Sequence, residues 1–461
     1  MKAILLFSAF CAFLFASNAT VIRNKKSPQV DVVDAQPCSS NASVAWLDVI
    51  LIIDTSMHMG AANLKKISSA ATLALSKFTI GSNDDISSGS FNTRVAVMTY
   101  NYQGAFQALF TDITSISDLT TSLNAIKLST SPYADLYDPV LRILEWTNSN
   151  DPPGSNGRPT VLVFFSASAN APVNMQVPDL IAENFDPYST TVITVNFNTA
   201  DSNLTSLLSA ITLNQFVNAP MYNLSGTSNS LTRDLEWSLL QANCFCGDGT
   251  GIPTILYDSA NARYSRYASC MILDQADGYV EGINDICSGD GFVMPAYILT
   301  QNKEKFIEGI WNDCDGETCY PFYVGLHKNA KDAWAWYDWD LNEFPPTGYF
   351  DWGQGYPVND GMSNCTVVDS NDGVNFIWRN TPCNTQYSLV LNILCQSHSC
   401  DAENSDCINT SYNYDDDQPK GYKKPIKKGT KTGARKRMLT KIKKSKNGKK
   451  NIMKNKLPLK A

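Results

Sequence analysis

The chain has 461 residues, 44 of them acidic and 37 basic, and its formal net charge is −7. This length excludes a single small domain and leaves room for two domains and a tail. The charge is unevenly spread, because the residues from Lys420 onward include 18 basic side chains and no acidic one. The rest of the chain therefore carries 19 basic against 44 acidic side chains. An acidic body is followed by a cationic tail.

The amino terminus has the pattern of a secretory signal. Lys2 precedes an apolar run from Ala3 to Ala16, and a small-residue site ends at Ala19. This order predicts a signal peptide over residues 1–19, followed by a short segment over 20–44. A signal anchor is the alternative, but the run is short for a membrane span, and no later stretch is apolar enough for one. We therefore expect a secreted, extracellular protein with no transmembrane segment.

Cysteines and sequons agree with export. Of the 13 cysteines, Cys11 lies in the predicted signal peptide, and all the others except Cys38 fall between Cys244 and Cys407. Crowded cysteines, even in number, predict disulfides in an exported chain rather than redox or metal sites. Candidate glycosylation sites are the asparagines that begin an N-x-S/T sequon, namely Asn41, Asn203, Asn223, Asn364 and Asn409.

Residues 45–243 alternate predicted strands and helices. The continuous apolar run Leu47–Ile53 predicts a strand buried on both faces, as in a parallel sheet covered by helices. Further strands are predicted at 94–100, 105–111, 160–165 and 190–197, and helices at 63–78, 116–128, 135–146 and 204–210. This alternation is typical of an open α/β sheet.

Ligands of open α/β sheets bind beyond the carboxyl ends of the strands, where Asp54 and Ser56 stand. The segment Ile52–Ser56 resembles the first strand of a von Willebrand factor A domain, which ends in D-x-S-x-S. Thr93–Tyr100 resembles the second strand of that family. The resemblance implies a site for a divalent cation such as Mg²⁺, with Asp54 and Ser56 among its oxygen ligands.

That set of ligands is incomplete in this sequence. His58 replaces the second serine, the segment Ser131–Asp135 lacks the family's threonine, and Ala167 stands where a later aspartate is expected. We therefore predict a degenerate metal site at Asp54 and Ser56. The favoured alternative is that Asp54 caps the following helix.

A Cys/Gly-rich linker at residues 244–251 separates a second predicted domain over 252–396. The pattern predicts a helix that ends at Cys287, a helix over 300–310 and a strand over 322–326. Residues rich in Trp, Pro, Gly and Asn then continue to Cys395 as a predicted irregular segment. Such segments stay ordered when cross-links and apolar anchors offset the lost entropy.

Three motifs carry a second resemblance. Tyr323–Leu326 matches the W-I-G-L strand of C-type lectin-like domains, Trp334–Asp338 matches W-x-W-x-D, and Asp351–Pro357 matches N-W-x-x-G-E-P. The resemblance implies an α+β C-type lectin-like domain after the α/β domain. It also implies two disulfides, Cys287–Cys395 and Cys365–Cys383. The remaining pairs stay open: Cys314 with Cys319, Cys400 with Cys407, Cys270 with the start of the domain, and Cys38 with Cys244 or Cys246.

Sugar-binding members of that family hold Ca²⁺ between an E-P-N loop and a W-N-D strand. Here Tyr356 and Val358 replace the glutamate and the asparagine, and Asn380 ends the triplet. The calcium site is therefore predicted to be degenerate, with Asn359 and Asp360 as substitute oxygen donors if the loop shifts.

Aromatic rings offer a calcium-free way to bind sugars, because they stack on C–H faces. The aromatic candidates are Trp339, Tyr349, Phe350, Trp352 and Tyr356. We expect Trp334, Trp336, Trp352 and Trp378 to form core and keep Trp339 and Tyr356 as ligand contacts. The predicted ligand-binding residues are thus Trp339, Tyr356, Asn359, Asp360 and Asn380.

The carboxy terminus is predicted to be a Cys-containing acidic linker at 397–418 and a basic tail at 419–461. The tail has few large apolar residues, so we expect it to be disordered. Basic tracts attract polyanions such as acidic glycans, bacterial envelopes or nucleic acid. The alternative is a tail that aids solubility or is removed by proteolysis.

No enzyme signature is found. The three histidines, His58, His327 and His398, match no catalytic pattern, and the acids Asp274, Asp277, Glu281 and Asp285 are predicted to be a solvated helix face. The first hypothesis is a secreted protein that recognises glycans or microbial surfaces, and resemblance to nematode C-type lectin proteins implies innate defence. The second is an adhesion or matrix protein that binds a protein partner through the A-like domain.

Overall fold

The structure is a computed structural model. It describes residues 36–81, 91–246, 251–275, 281–283, 287, 294–311, 319–373 and 375–402. The predicted signal peptide, the basic tail, Cys314, Cys407 and Asn409 lie outside these residues. No helix within the described ranges is long and apolar enough to cross a membrane.

The first sheet of the described chain has the strand order β3-β2-β1-β4-β5-β8. Its strands are β1 (Asp48–Asp54), β2 (Arg94–Tyr100), β3 (Gly104–Ala108), β4 (Thr160–Ser166), β5 (Thr190–Asn196) and β8 (Asn223–Ser225). A separate hairpin joins β6 (Leu213–Asn214) and β7 (Ala219–Pro220). All pairs of the first sheet are parallel except β2 with β3. Strand β1 lies inside the sheet with every residue buried, as its continuous apolar run predicts.

Helices cover both faces of this sheet. They are α1 (Gly60–Leu75), α2 (Ile116–Ala125), α3 (Tyr137–Trp146), α4 (Val177–Asn184), α5 (Ser202–Ile211) and α6 (Leu231–Ala242), with short 3₁₀ helices at Ala42–Val44, Ser155–Gly157 and Pro172–Gln176. Helix α1 packs against α2 and α6, while α4 packs against α3 and α5. Ile50, Ile52 and Phe164 of the sheet share one buried core with α3, α4 and α5. The predicted open α/β architecture is confirmed.

One detail of the first region differs from the expectation. Helix α1 begins at Gly60, its N-cap residue is Met59, and no described side chain caps it. The proposed role of Asp54 as a helix cap is therefore wrong. The carboxylate is buried at the end of β1 and accepts backbone N–H groups instead.

The second sheet of the described chain follows the order β14-β13-β12-β17-β10-β9, with β11 beside β17 and the β15–β16 hairpin beside β12. Its strands are β9 (Ile252–Asp258), β10 (Arg263–Gln275), β11 (Met294–Pro295), β12 (Phe322–Lys328), β13 (Trp334–Tyr337), β14 (Glu343–Phe344), β15 (Cys365–Ser370), β16 (Phe376–Thr381) and β17 (Asn392–His398). Helices α7 (Gln301–Trp311) and α8 (Thr385–Ser388) accompany these strands, and Cys287 is also helical.

The sequence patterns missed parts of this sheet. Strands β15 and β16 lie within the segment that was expected to be irregular up to Cys395. Asp274 belongs to strand β10 and not to a solvated helix face. Strands β10, β15 and β16 mix buried with partly exposed positions, so their apolar residues form no long run.

Disulfides join four pairs of described cysteines: Cys38–Cys244, Cys246–Cys270, Cys287–Cys395 and Cys365–Cys383. The last two are the pairs that the lectin-like resemblance implies. Of the pairs that the sequence left open, Cys38 pairs with Cys244, and Cys270 pairs with Cys246. Cys319 and Cys400 are disulfide-bonded as well.

The first two disulfides lie at the junction of the two sheet regions. There, Phe245 and Cys400 exchange backbone hydrogen bonds of 3.0 and 2.8 Å. The Arg263 guanidinium lies 3.4 Å from the centre of the Trp237 ring, so the second region also packs against α6. The junction therefore combines covalent, hydrogen-bonded and cation–π contacts.

Candidate functional site

The first candidate site lies at the carboxyl ends of β1 and β4. Asp54 accepts the N–H of Ser56 at 2.7 Å through one carboxylate oxygen and the N–H of Ala167 at 3.1 Å through the other. Burial raises the pKa of Asp54, and the hydrogen bonds from Ser56 and Ala167 oppose that rise. Ser56 Oγ is buried and makes no hydrogen bond of acceptable geometry within the described chain.

The second candidate site lies in the loop between β14 and β15. The buried amide of Asn380 donates to the carbonyls of Val358 and Ser363 at 2.7 Å each, and it accepts the N–H of Val358 at 2.7 Å. Both ends of this amide are thus bonded to the loop. Asn380 positions the loop and has little capacity left for a ligand.

Asn359 and Asp360 are exposed on this loop, and each already has partners. The carboxylate of Asp360 accepts the N–H groups of Met362 and Ser363 and the Ser363 hydroxyl at 2.7–2.9 Å, and the Ser363 bonds help lower the pKa of Asp360 to about 2. Asn359 Oδ1 accepts from the Lys328 ammonium at 3.2 Å, and that ammonium also pairs with Asp332 at 2.8 Å.

These contacts disfavour calcium at the second site. The Lys328 ammonium already brings a positive charge to Asn359. The side-chain oxygens of Asp360 and Asn380 already accept hydrogen bonds from groups of the loop. Ca²⁺ takes six to eight oxygen ligands, which this set does not supply. The described residues contain no group of three or more His, Cys, Asp or Glu side chains that could hold a metal ion.

The two aromatic candidates, Trp339 and Tyr356, have different neighbours. Trp339 stacks on His398 with ring centres 3.9 Å apart and meets the edge of Tyr297 at 6.1 Å. Its contacts are therefore at the end of β17. Tyr356 is half-buried in the β14–β15 loop, and its N–H donates to Gly353 at 3.0 Å.

A different aromatic surface is continuous, and we call Trp334, Trp352 and Phe350 the aromatic strip. The rings of Trp334 and Trp352 lie 5.1 Å apart, and Phe350 stacks on Trp352 at 6.3 Å. Phe350 is 39% exposed and both tryptophans are half-buried. The expectation that Trp334 and Trp352 are core is therefore only partly met, whereas Trp336 and Trp378 are fully buried.

Polar groups border the aromatic strip. The Lys328 ammonium lies 5.9 Å from the Trp334 ring centre, so its bonds to Asn359 and Asp332 place those side chains beside the strip. Lys328 was not among the residues predicted from the sequence. It lies two residues after the W-I-G-L match, in the same strand, and that position could have marked it.

A buried glutamate supports the strip from below. Glu304 of α7 accepts the Trp378 indole N–H at 2.5 Å and also accepts a short hydrogen bond from the Tyr349 hydroxyl. Burial raises the pKa of Glu304 to about 7, and the negative charges of Asp351 and Glu308 add to the rise. Sequence analysis missed this residue, because an acid in an amphipathic helix gives no local sign of burial.

Comparison with known proteins bears on both regions. The family model of the von Willebrand factor type A domain matches residues 48–230. This segment therefore has a von Willebrand factor A-like fold. The match lies within the predicted domain at 45–243, and its strands and helices are those of the first sheet region.

Most of the chain is also similar to a curated protein. C-type lectin domain-containing protein 160 of Caenorhabditis elegans is 22% identical over an alignment of 404 positions, and the alignment covers 82% of this chain and 57% of the relative. The chain thus spans little more than half the length of that relative.

Solved structures of proximal thread matrix protein 1 from the mussel byssus are 15% identical, with TM-scores of 0.33 and 0.34. In each case the similarity covers 45% of this chain and 49% of the mussel chain. Such TM-scores carry no inference about function.

The von Willebrand factor A-like region of this chain does not fit a divalent cation. Of the five oxygen ligands in the family pattern, only Asp54 and Ser56 keep their residue type, and the carboxylate of Asp54 is already hydrogen-bonded on both oxygens. Ala167 presents a backbone N–H where the pattern has an acidic side chain. One hydroxyl and one shared carboxylate are too few for Mg²⁺, which requires octahedral oxygen ligation.

The candidate glycosylation sites differ in exposure. Asn41, Asn203 and Asn223 are exposed, and Asn364 is half-buried. The Asn223 amide donates to the Ser209 hydroxyl at 2.9 Å, which a glycan on that nitrogen would disturb. Glycosylation at these positions stays a prediction.

Proposed function

We propose that this is a secreted glycan-binding protein whose residues 252–396 form a C-type lectin-like domain that recognises sugars without calcium. The observation that carries the proposal is the aromatic strip with Lys328 and Asn359 at its border. The motif matches, the cystine pairs and the name of the nematode relative support the lectin-like assignment. A binding role also agrees with the von Willebrand factor A domain better than catalysis does.

The strip has the chemistry that sugars require. Pyranose rings have apolar C–H faces, which stack on aromatic rings, and hydroxyl groups, which bond to polar side chains at the edge. Three neighbouring rings would contact more than one sugar unit. Lys328 would donate to hydroxyl or acidic groups, and Asn359 would both donate and accept. In biological terms, the proposed ligands are glycans on microbial surfaces, and the proposed role is in innate defence.

A glycan array with the full-length protein tests the proposal. Phe350→Ala removes the most exposed ring of the strip, and we expect it to weaken binding to the best glycans by about tenfold. Tyr387→Ala is the matched control, since Tyr387 is an exposed aromatic side chain on α8. If the Phe350→Ala variant binds these glycans as tightly as the wild type does, the aromatic strip is not the sugar-binding site.

An alternative function is adhesion through a protein partner of the von Willebrand factor A domain. The observation that favours it is a group of exposed apolar side chains beside Asp54, which includes Met57, Tyr133 and Met175. This surface is separate from the aromatic strip, so the two functions are compatible.

A further inference from the structure

One loop connects all the segments around Asp54, and we call residues 129–136 the hub loop. Its Ser131 carbonyl accepts the N–H of Met57 at 2.9 Å. Asp135 donates its N–H to the Asn101 carbonyl at 2.6 Å. Asn174 bonds to Ala134 and Leu136 at 2.9 and 2.8 Å. The loops that follow β1, β2 and β4 are therefore held together at one end of the sheet.

Large apolar side chains project from this framework. Met57, Tyr102, Tyr133 and Met175 are each between 56% and 78% exposed. Met57 is bonded to the hub loop directly, Tyr133 belongs to it, and Tyr102 and Met175 follow the bonded residues Asn101 and Asn174. Exposed apolar groups concentrated in one place mark interaction surfaces, and methionine and tyrosine are enriched in protein interfaces.

The same surface lacks charge. The segments 55–59, 101–103, 129–134 and 167–176 contain no Asp, Glu, Lys or Arg, and His58 is their one basic side chain. Asp54 is buried beneath them, and half-buried Asp135 uses its carboxylate to accept the N–H of Tyr137 at 2.8 Å. With no cation here, an acidic partner gains no ion pair, whereas an uncharged partner loses no charge solvation.

We propose that this end of the von Willebrand factor A domain is a metal-independent docking site for an uncharged polypeptide segment rich in aliphatic and aromatic side chains. The hub loop fixes the backbone from which Tyr133 projects, which limits the entropy lost on binding. Met57 and Met175 are unbranched and adapt to the shape of the partner. The proposal does not depend on glycan binding by the second region.

A phage-displayed peptide library panned on the full-length protein in EDTA tests the proposal. Affinities of the selected peptides are then measured for wild type and for Tyr133→Ser/Met175→Ser, with Leu73→Ser/Leu213→Ser as matched control, since Leu73 and Leu213 are exposed apolar residues elsewhere in the domain. We expect uncharged apolar peptides whose affinity falls by roughly tenfold or more in the first variant and stays unchanged in the control. Circular dichroism verifies that both variants are folded.

Three results would overturn the proposal. The first is a failure to select any peptide, and the second is equal binding to the Tyr133→Ser/Met175→Ser variant. The third is selection, in a parallel panning with Mg²⁺, of peptides that share an acidic residue and bind only when the metal is present.

Discussion

Glu304 connects helix α7 to two aromatic side chains next to the aromatic strip. Its carboxylate joins helix α7 to Trp378 and Tyr349, and its neighbours Asp351 and Glu308 are also acidic. Ionised Glu304 keeps both acceptors but repels the nearby carboxylates in a buried setting. Near neutral pH, ionisation of Glu304 therefore favours its two hydrogen bonds but adds repulsion from Asp351 and Glu308.

The raised pKa of Glu304 predicts a pH-dependent stability. Its pKa in the folded protein, about 7, exceeds the ordinary value of 4.5. The stabilisation is complete below that ordinary value and is lost as the pH rises through about 7, for a change of about 2–3 kcal/mol. Glu304→Gln, which keeps an acceptor, should remove this component from urea unfolding measured between about pH 5 and 8.

The control for this prediction is Glu236→Gln, because Glu236 pairs with Lys77 on the surface of α6, away from the strip. The control should keep the pH dependence of the wild type. An unchanged pH profile in Glu304→Gln would show that Glu304 does not titrate as described.

Among the elements, the β14–β15 loop depends on one side chain of β16. The Asn380 amide satisfies the backbone of Val358 on both sides and the carbonyl of Ser363. The loop has little regular structure of its own, so these bonds fix where Asn359 lies relative to Lys328. Asn380, which lies outside the loop, therefore holds the loop in place beside the aromatic strip.

Asn380→Ala should therefore destabilise the second region. It leaves the buried Ser363 carbonyl without its partner, at a cost of about 1–3 kcal/mol, and it also removes the two partly buried bonds to Val358. Chemical denaturation measures the loss, with Asn198→Ala as a control at an exposed asparagine. A loss below about 0.5 kcal/mol, the range of ordinary surface substitutions, would mean that water replaces these bonds.

Local patterns predicted some of these elements and missed others for a physical reason. The β1 strand was predictable because its apolar run is continuous and ends at Asp54. The β15–β16 hairpin was missed because buried and partly exposed positions are mixed in its strands. The sequence Asn371-Asp372-Gly373 is a turn signal that could have found the hairpin.

The candidate site was predicted less well than the fold. The positions of Asn359 and Asp360 followed from motif matches, but Lys328 and Glu304 act through contacts with residues distant in sequence. Glu304 and Trp378 are 74 positions apart, and Lys328 and Asn359 are 31 apart. No local pattern encodes such pairs, because they form only when the sheet and α7 pack together.

At the scale of the whole molecule, the junction fastens the two regions by several independent contacts. Cys38–Cys244 closes a separation of 206 residues, and Ser39 donates its N–H to Asp401 at 2.9 Å. A protein with two recognition surfaces on firmly joined regions gains avidity only if its targets match that fixed spacing.

The charge asymmetry makes a prediction for the complete chain. The basic residues from Lys420 onward should bind heparin through their charge, with an affinity that falls steeply as salt increases. A chain that ends at Asp417 should elute from heparin at much lower salt. Equal retention of the two chains would place polyanion binding elsewhere or exclude it.

The proposed sugar binding should not require calcium. Isothermal titration of the full-length protein with the strongest glycan of the array, in calcium and then in EDTA, measures this directly. The strip and the Lys328–Asn359 contact predict dissociation constants that agree within about twofold, because no metal bridges protein and sugar. Binding that disappears in EDTA and returns when calcium is restored would contradict calcium-independent recognition.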